Sequence, residues 1–210
     1  MKIKSKDQVI EHFISGNKSD QFIGVENEKF LFKKQNNTRA EYSDLLKVFN
    51  IFIQKFNWQA IKEDENTIGL KKNGKTITLE PGNQIELSGS QLSNIHEVCS
   101  ESYEFQEKLN LACEDIGLTT LSVGYDPFSN IDKIPNNPKK RYKIMTKEMP
   151  KNGPLSLEMM YLTAGTQINI DYKNEEDFKK KFKVASYLTP LSIALFSNLS
   201  LIHISEPTRP

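Results

Sequence analysis

Only two cysteines, Cys99 and Cys113, occur among the 210 residues. That is too few for a disulfide framework, and their spacing is not that of a CxxC metal or redox pair. They fall in one helical stretch, and a rise of 1.5 Å per residue puts them about 21 Å apart, out of bridging reach. Both are expected to be small, buried, reduced thiols. Histidine is nearly as scarce, with three residues, and no Ser/His/Asp constellation can be assembled from them. His96 is expected to be satisfied or at the surface. There is no GxxxxGK[ST] loop and no other glycine-rich run, which excludes P-loop handling of nucleotide phosphates. No apolar run approaches the roughly 18 residues of a membrane span, and Met1 to Asp7 lacks the apolar core of a signal peptide. A cytoplasmic location and no membrane partner are the expectations. A formal net charge of +1 supplies no global field for nucleic acid or an anionic membrane.

What the chain does have is 37% hydrophobic and 26% charged residues without a linker-like shift, enough for one large core or two small ones. It contains no internal repeat and no low-complexity tract. Two acidic runs stand out, Ile23-Gly24-Val25-Glu26-Asn27-Glu28-Lys29-Phe30 and Ile77-Thr78-Leu79-Glu80-Pro81-Gly82-Asn83-Gln84-Ile85-Glu86-Leu87-Ser88-Gly89. Both set carboxylates inside strand-like apolar stretches, where a charge needs a cation, a donor or water to compensate it. That pattern points to a metal or phosphate site.

Ser5 is a suitable N-cap for a first helix through Val9, Ile10 and Phe13, with Gly16 placed to end it. Residues 22–32 alternate, so Glu26 and Glu28 share a face with Gly24, Phe30 and Phe32. Residues 42–56 read as a helix buried over much of its circumference. Short strands are expected at 58–62, 67–72 and 76–80, with Asn73-Gly74 forming a type I′ hairpin between the last two. Pro81-Gly82 turns the chain into a strand over 84–87 that brings Glu86 back near Glu80. A long helix starts at Ser93 or Asn94, covers one face of the antiparallel sheet and ends before Gly117.

Residues 118–125 are strand-like, and 126–154 read as a long Pro-, Asn- and Lys-rich connection of the kind that forms active-site loops. A short helical piece at 157–161 precedes a strand over 166–172, on which Gln167, Asn169 and Asp171 share a face. A final helix is expected over 175–198, with Pro190 as its kink. The tail, 199–210, resembles the translation of a transposase adapter from sequencing-library preparation and is set apart from the fold. The expected division is therefore 1–198, part of a single domain, and 199–210, a non-native tail.

Four motifs, Gly24 to Phe30, Leu79 to Gly89, Arg141-Tyr142-Lys143-Ile144-Met145 and Thr163 to Asp171, together resemble the plant and proteobacterial type of glutamate-cysteine ligase. The likeness covers nearly everything from Phe22 to Asn198, with weaker support from Gly124-Tyr125-Asp126-Pro127, Met149-Pro150-Lys151 and Met159-Met160. Departures are Asn27 where His is frequent, Asn83 where a second Gly is frequent, and Ala164-Gly165-Thr166 where Cys-Thr-Val is common. The resemblance implies an α+β fold, a curved antiparallel sheet backed by helices like that of glutamine synthetase and the guanidino kinases. It implies ATP-dependent joining of glutamate to cysteine through an acyl phosphate, giving γ-glutamylcysteine in the first step of glutathione biosynthesis. Family members are about twice this length, so the chain is expected to be truncated, with apolar faces left unburied, poor solubility and no activity by itself.

The resemblance also implies Mg²⁺, with Glu26, Glu28, Glu80 and Glu86 as oxygen ligands and ATP as co-substrate. For Glu26 and Glu28 the alternative is a solvent-facing edge strand, and Glu86 can equally hydrogen-bond the substrate amine. Arg141, as catalytic and substrate-binding residue, would hold the glutamate carboxylates or the developing acyl phosphate through its planar fork. Tyr142 either lines that pocket or packs as an ordinary aromatic. Gln167 and Asn169, read as amides in need of partners, bind substrate or tie down a loop. Asp171 is expected to be structural, and Lys139, Lys140 and Lys143 to be solvated. Two other readings stay open: a ligase acting on another amine, and a non-catalytic fragment that retains metal or glutamate binding.

Overall fold

A computed structural model describes residues 3–151 and 153–196. The proposed tail at 199–210 lies outside them. Helix α1 (Lys6–Ile14) is capped by the Ser5 side chain, which accepts from the Gln8 N–H. Strand β1 (Ile23–Lys33) leads to α2 (Tyr42–Phe56). A meander follows, of β2 (Gln59–Glu63), β3 (Asn66–Lys72), β4 (Lys75–Leu79) and β5 (Ile85–Ser88). Then come α3 (Ile95–Glu114), β6 (Leu118–Leu121), α4 (Lys140–Glu148), α5 (Ser156–Leu162), β7 (Thr166–Ile170) and α6 (Glu175–Phe196). The β3–β4 turn carries Asn73 and Gly74 at φ 49° and 80°, the two positive values a type I′ turn requires.

The antiparallel sheet has the order β2-β3-β4-β5-β1-β6, with β7 pairing the first half of β1 and β6 the second. Strand β1 is therefore central, which removes the edge-strand reading of its glutamates. Its period of two divides the residues between two environments. Leu31 points with Leu70, Ile77, Leu79, Ile85 and Leu87 into the main core, against Val48, Phe49 and Phe52 of α2 and Phe105, Leu109 and Ala112 of α3. Burying each large side chain of this layer contributes about 1.5–3 kcal/mol. The opposite face carries the acidic residues, then Phe30 and Phe32, which pack with Ala164.

Three expectations need correction. Residues 126–154 are not one irregular loop: they hold α4 and two short 3-10 turns, and Tyr142, Met145 and Met149 give that segment an apolar side. Periodicity was hidden there because α4 has only nine residues and buries one of them, Tyr142. The strand at 118–125 closes at Leu121. Cys99 is exposed, whereas Cys113 is buried and its thiol is pushed up to about 12 by that burial.

Candidate functional site

Strand register assembles the site. Glu28 lies directly across from Glu86 of β5, Glu26 from Gln167 of β7, and Gly24 from Asn169. Thr78 pairs with Glu86, and Glu80 follows two residues later on the same side of the chain. Glu26, Glu28, Glu80, Glu86, Gln167 and Asn169 thus occupy one sheet face. This brings together every acidic and amide residue expected from sequence. Gln167 and Asn169 are exposed, however, and so are not the buried amides they were read to be. Among the described residues, no strand pairs the outer edge of β7.

Glu28, Glu86 and Glu80 are each held by different donors. Glu28 Oε2 accepts from the Gly165 N–H at 2.7 Å, while the Glu28 N–H donates to Gly165 O at 3.0 Å. Glu86, 8% exposed, accepts from Ser88 Oγ at 3.1 Å and Thr78 Oγ1 at 3.4 Å. Glu80 Oε1 accepts from the Tyr142 hydroxyl at 3.1 Å and lies 3.6 Å from Arg141 Nη2. Burial pushes the Glu28 carboxyl up to about 7. The Gly165 bond opposes that rise, while Glu80, Glu86 and Glu26 add to it. Glu86 is raised by burial and then by Glu80.

Burial of Glu28, with the crowding that adds to it, has a stability signature. A native pKa of about 7 against 4.5 means that the folded chain holds the extra proton between those values. Stability therefore falls as pH rises through that window. For a part-exposed group, solvent screening limits the loss to about 1–2 kcal/mol. Urea midpoints measured from pH 4.5 to 8 are expected to decline, and Glu28→Gln to flatten the decline. An unchanged slope in the variant would reject the assignment.

Arg141 and Tyr142 come from the first turn of α4, which stands over the end of β4. The Tyr142 hydroxyl donates to Leu79 O at 2.8 Å as well as touching Glu80, and Arg141 Nη2 donates to that hydroxyl at 2.7 Å. Tyr142 is both a buried packing residue and part of the acidic cluster. Arg141 projects outward, its side chain 63% exposed, with the guanidinium 4.7 Å over the Tyr142 ring. Asp171 is structural as expected: Oδ2 accepts from the Phe22 N–H and Oδ1 pairs with Lys18. Lys140 and Lys143 are exposed, but Lys139 is buried, which corrects its reading as solvated. Desolvation lowers its pKa, and Glu80 partly restores it.

The turn between Glu80 and Glu86 is pinned from several sides. Asn83 takes φ 63°, a conformation asparagine shares with glycine, so its departure from the second Gly is conformationally equivalent. Its amide donates to Ala40 O. Gln84, 1% exposed, donates to Met160 O and Thr163 O. That tie draws the segment before Gly165 onto Glu28. Asn137 donates to Glu80 O, and Arg39 Nη1 to Gly82 O. A Cβ at Gly82 would meet Tyr161 O at 2.8 Å, so only glycine allows this approach. Sequence reasoning passed over Arg39 and Asn137, read Lys139 as solvated, and gave Gln84 no role although it lies inside a recognised motif. Asp126, the partner of Arg39, lay inside a recognised motif but was given no role. A separate recess of about 740 Å³, lined by Lys33, Asn37, Phe128 and Lys133, contains none of the expected site residues.

The donor set suits a hard cation. Glu26, Glu28, Glu80 and Glu86 offer carboxylate oxygens on one face, and the repulsion at Glu28 is what a divalent charge would relieve. Among the described residues no three His, Cys, Asp or Glu side chains close around one point. The described residues therefore form no all-protein cage, and a hard cation here would keep water or substrate oxygens among its ligands.

A model of glutamate-cysteine ligase family 2 (GCS2) matches residues 22–199. Glutamate--cysteine ligase A, chloroplastic, of Oryza sativa subsp. japonica is 36% identical over 196 residues, covering 92% of this chain and 40% of its own. The chloroplastic enzyme of Medicago truncatula is 37% identical over 196 residues, covering 92% and 39%. The chain thus spans about two fifths of the length of the curated relatives it matches. Among solved structures, Glutamate--Cysteine Ligase (gshA) of Francisella tularensis in complex with AMP superposes with a TM-score of 0.49 at 13% identity, over 82% of this chain and 30% of that one.

Proposed function

The chain belongs to glutamate-cysteine ligase family 2, and from that premise we propose that it is the N-terminal part of an ATP-dependent ligase. The reaction joins the γ-carboxylate of glutamate to the amine of cysteine and gives γ-glutamylcysteine. The observation that carries this reading is the register of β1, which sets Glu26 and Glu28 against Gln167 and Glu86 on one sheet face.

A γ-carboxylate oxygen of glutamate attacks the terminal phosphorus of ATP, and ADP leaves. The cysteine nitrogen then attacks the acyl carbon, and phosphate leaves. Both steps gather negative charge, so positioning and neutralisation dominate the protein's task. Mg²⁺ held by one or two carboxylates at a time from among Glu26, Glu28, Glu80 and Glu86, with water completing its shell, would supply a divalent charge to the phosphate oxygens. Arg141, exposed beside Glu80, offers a planar fork for the glutamate carboxylates. Tyr142 fixes the direction of that fork through the bond to Nη2. Glu86 is available to accept from the incoming amine, and Gln167 and Asn169 offer donors and acceptors to the substrates at the β7 side.

A second reading, a fragment that binds metal or glutamate without turnover, is favoured by one observation: β7 and α6 bury no residue. The deciding experiment is to resequence the gene through codon 198 and beyond, then measure ADP release by the complete product with glutamate. Release stimulated by cysteine is expected from the complete product, and none from the 210-residue chain. Release indifferent to cysteine would mean a ligase for another amine, and no release from either product would leave the binding fragment. In the complete product, Arg141→Ala is expected to raise the KM for glutamate by about tenfold or more, through loss of a charge-assisted contact. An unchanged KM would remove Arg141 from the substrate.

A further inference from the structure

Among the described residues, Lys139 is the one lysine that is nine-tenths buried, and it lies beside the acidic face. It is 8% exposed, and its Nζ donates to Leu79 O at 2.7 Å and stands 5.3 Å from the Tyr142 ring centre. An ammonium has three donors, and Leu79 O takes one of them. Lysines ordinarily bury the stem and keep the head in water. Burying the head without an ion pair costs free energy unless something compensates it.

The fold does not need this charge. The Leu79 carbonyl is already bonded by the Tyr142 hydroxyl at 2.8 Å. The neighbouring Glu80 carbonyl is held by Asn137 at 2.7 Å, and Glu63 accepts from the Lys140 N–H at 2.9 Å. The start of α4 is thus anchored to β4, to its turn and to the end of β2 without Lys139, and the Lys140–Asp64 ion pair at 2.7 Å adds to that hold. A cation that anchoring does not require, next to the carboxylates of Glu80 and Glu86, calls for an anionic partner that arrives from outside the chain.

We propose that the Lys139 ammonium is this site's contact for the phosphate oxygens of the nucleotide. The ligase reading supplies only the carrier of that phosphate. A compact point charge suits phosphate oxygens, which spread their charge over three atoms. The planar carboxylates of glutamate match instead the fork of Arg141, two residues along and exposed. Carboxylates that held a divalent cation would no longer draw on the lysine, and its charge would be left for the phosphate.

The test is equilibrium dialysis of the full chain against inorganic triphosphate with Mg²⁺, and separately against L-glutamate. Circular dichroism and urea midpoints check that each variant is folded. Lys139→Met, which keeps the stem, is expected to weaken triphosphate binding by about tenfold or more and to leave glutamate binding unchanged. Lys139→Arg is expected to recover most of the binding, and Lys143→Met, on the exposed side of the same helix, to have no effect. Equal binding by Lys139→Met and the parent chain would overturn the proposal, as would no triphosphate binding by the parent, or a loss confined to glutamate. The ligase reading is judged separately by cysteine-stimulated ADP release. Triphosphate loss in Lys139→Met together with cysteine-indifferent release would keep the phosphate contact and discard cysteine as the amine.

Discussion

Arg39→Ala is expected to destabilise the chain by about 3–5 kcal/mol, measured as a fall in the urea midpoint at constant slope. Arg39 Nε donates to Asp126 Oδ2 at 3.0 Å, and Nη2 reaches both that oxygen and Tyr161 O. Both side chains are almost wholly out of solvent, and the guanidinium lies 4.2 Å over the Phe30 ring. Asp126 Oδ1 accepts from the N–H groups of Phe128 and Ser129. Burial opposes ionisation of Asp126, but the Ser129 and Phe128 bonds and then Arg39 hold its pKa below the usual value. Truncating Arg39 strands a buried carboxylate and releases Gly82 O and Tyr161 O as well. Against a typical total of about 5–15 kcal/mol, that is enough to unfold a marginal chain. The double variant Arg39→Met/Asp126→Leu is expected to recover most of the loss, because no charge is then left buried. A midpoint for Arg39→Ala within experimental error of the parent would show that the pair does not clamp these segments.

The second large effect concerns the surface. The 210-residue chain is expected to elute as an association of several copies. Helix α6 exposes Phe182, Tyr187, Leu191, Ile193, Leu195 and Phe196, and β7 exposes Ile168 and Ile170 beside a strand edge that no described residue pairs. Exposed apolar surface of this extent, next to open backbone donors and acceptors, drives association in water. Replacing Phe182, Leu191 and Leu195 together by glutamine is expected to shift elution towards the monomer without changing the circular dichroism of the core, since α6 buries none of its residues. A parent chain that already elutes as a monomer would contradict this account.

The alternation at 22–32, the Asn-Gly hairpin and the Pro-Gly turn were readable because each depends on a local period or a local φ requirement. They were sufficient to place Glu26, Glu28, Glu80 and Glu86 on a common face, because side-chain direction in a strand follows parity. Segment 126–154 was not readable in the same way. Its helix is short, and its order comes from distant partners: Arg39 on Asp126, and Glu80 O on Asn137. Lys139 looked like its neighbours Lys140 and Lys143, since three lysines in five residues carry no sign of which one is enclosed. Gln167 and Asn169 were on the expected face but in a different environment, because burial at β7 depends on what lies beside it and not on its own pattern.

The sequence by itself determined most elements outside 126–154, the acidic sheet face and the family to which they belong, since all three rest on residue type at fixed short spacing. Only the tertiary structure decided that β1 is central, that Glu28 crowds Glu86 across the strands, and that Lys139 is shut in against Leu79. Those outcomes depend on strand order and on contacts between residues far apart in the chain, where loop closure and packing, not local preference, choose the neighbours.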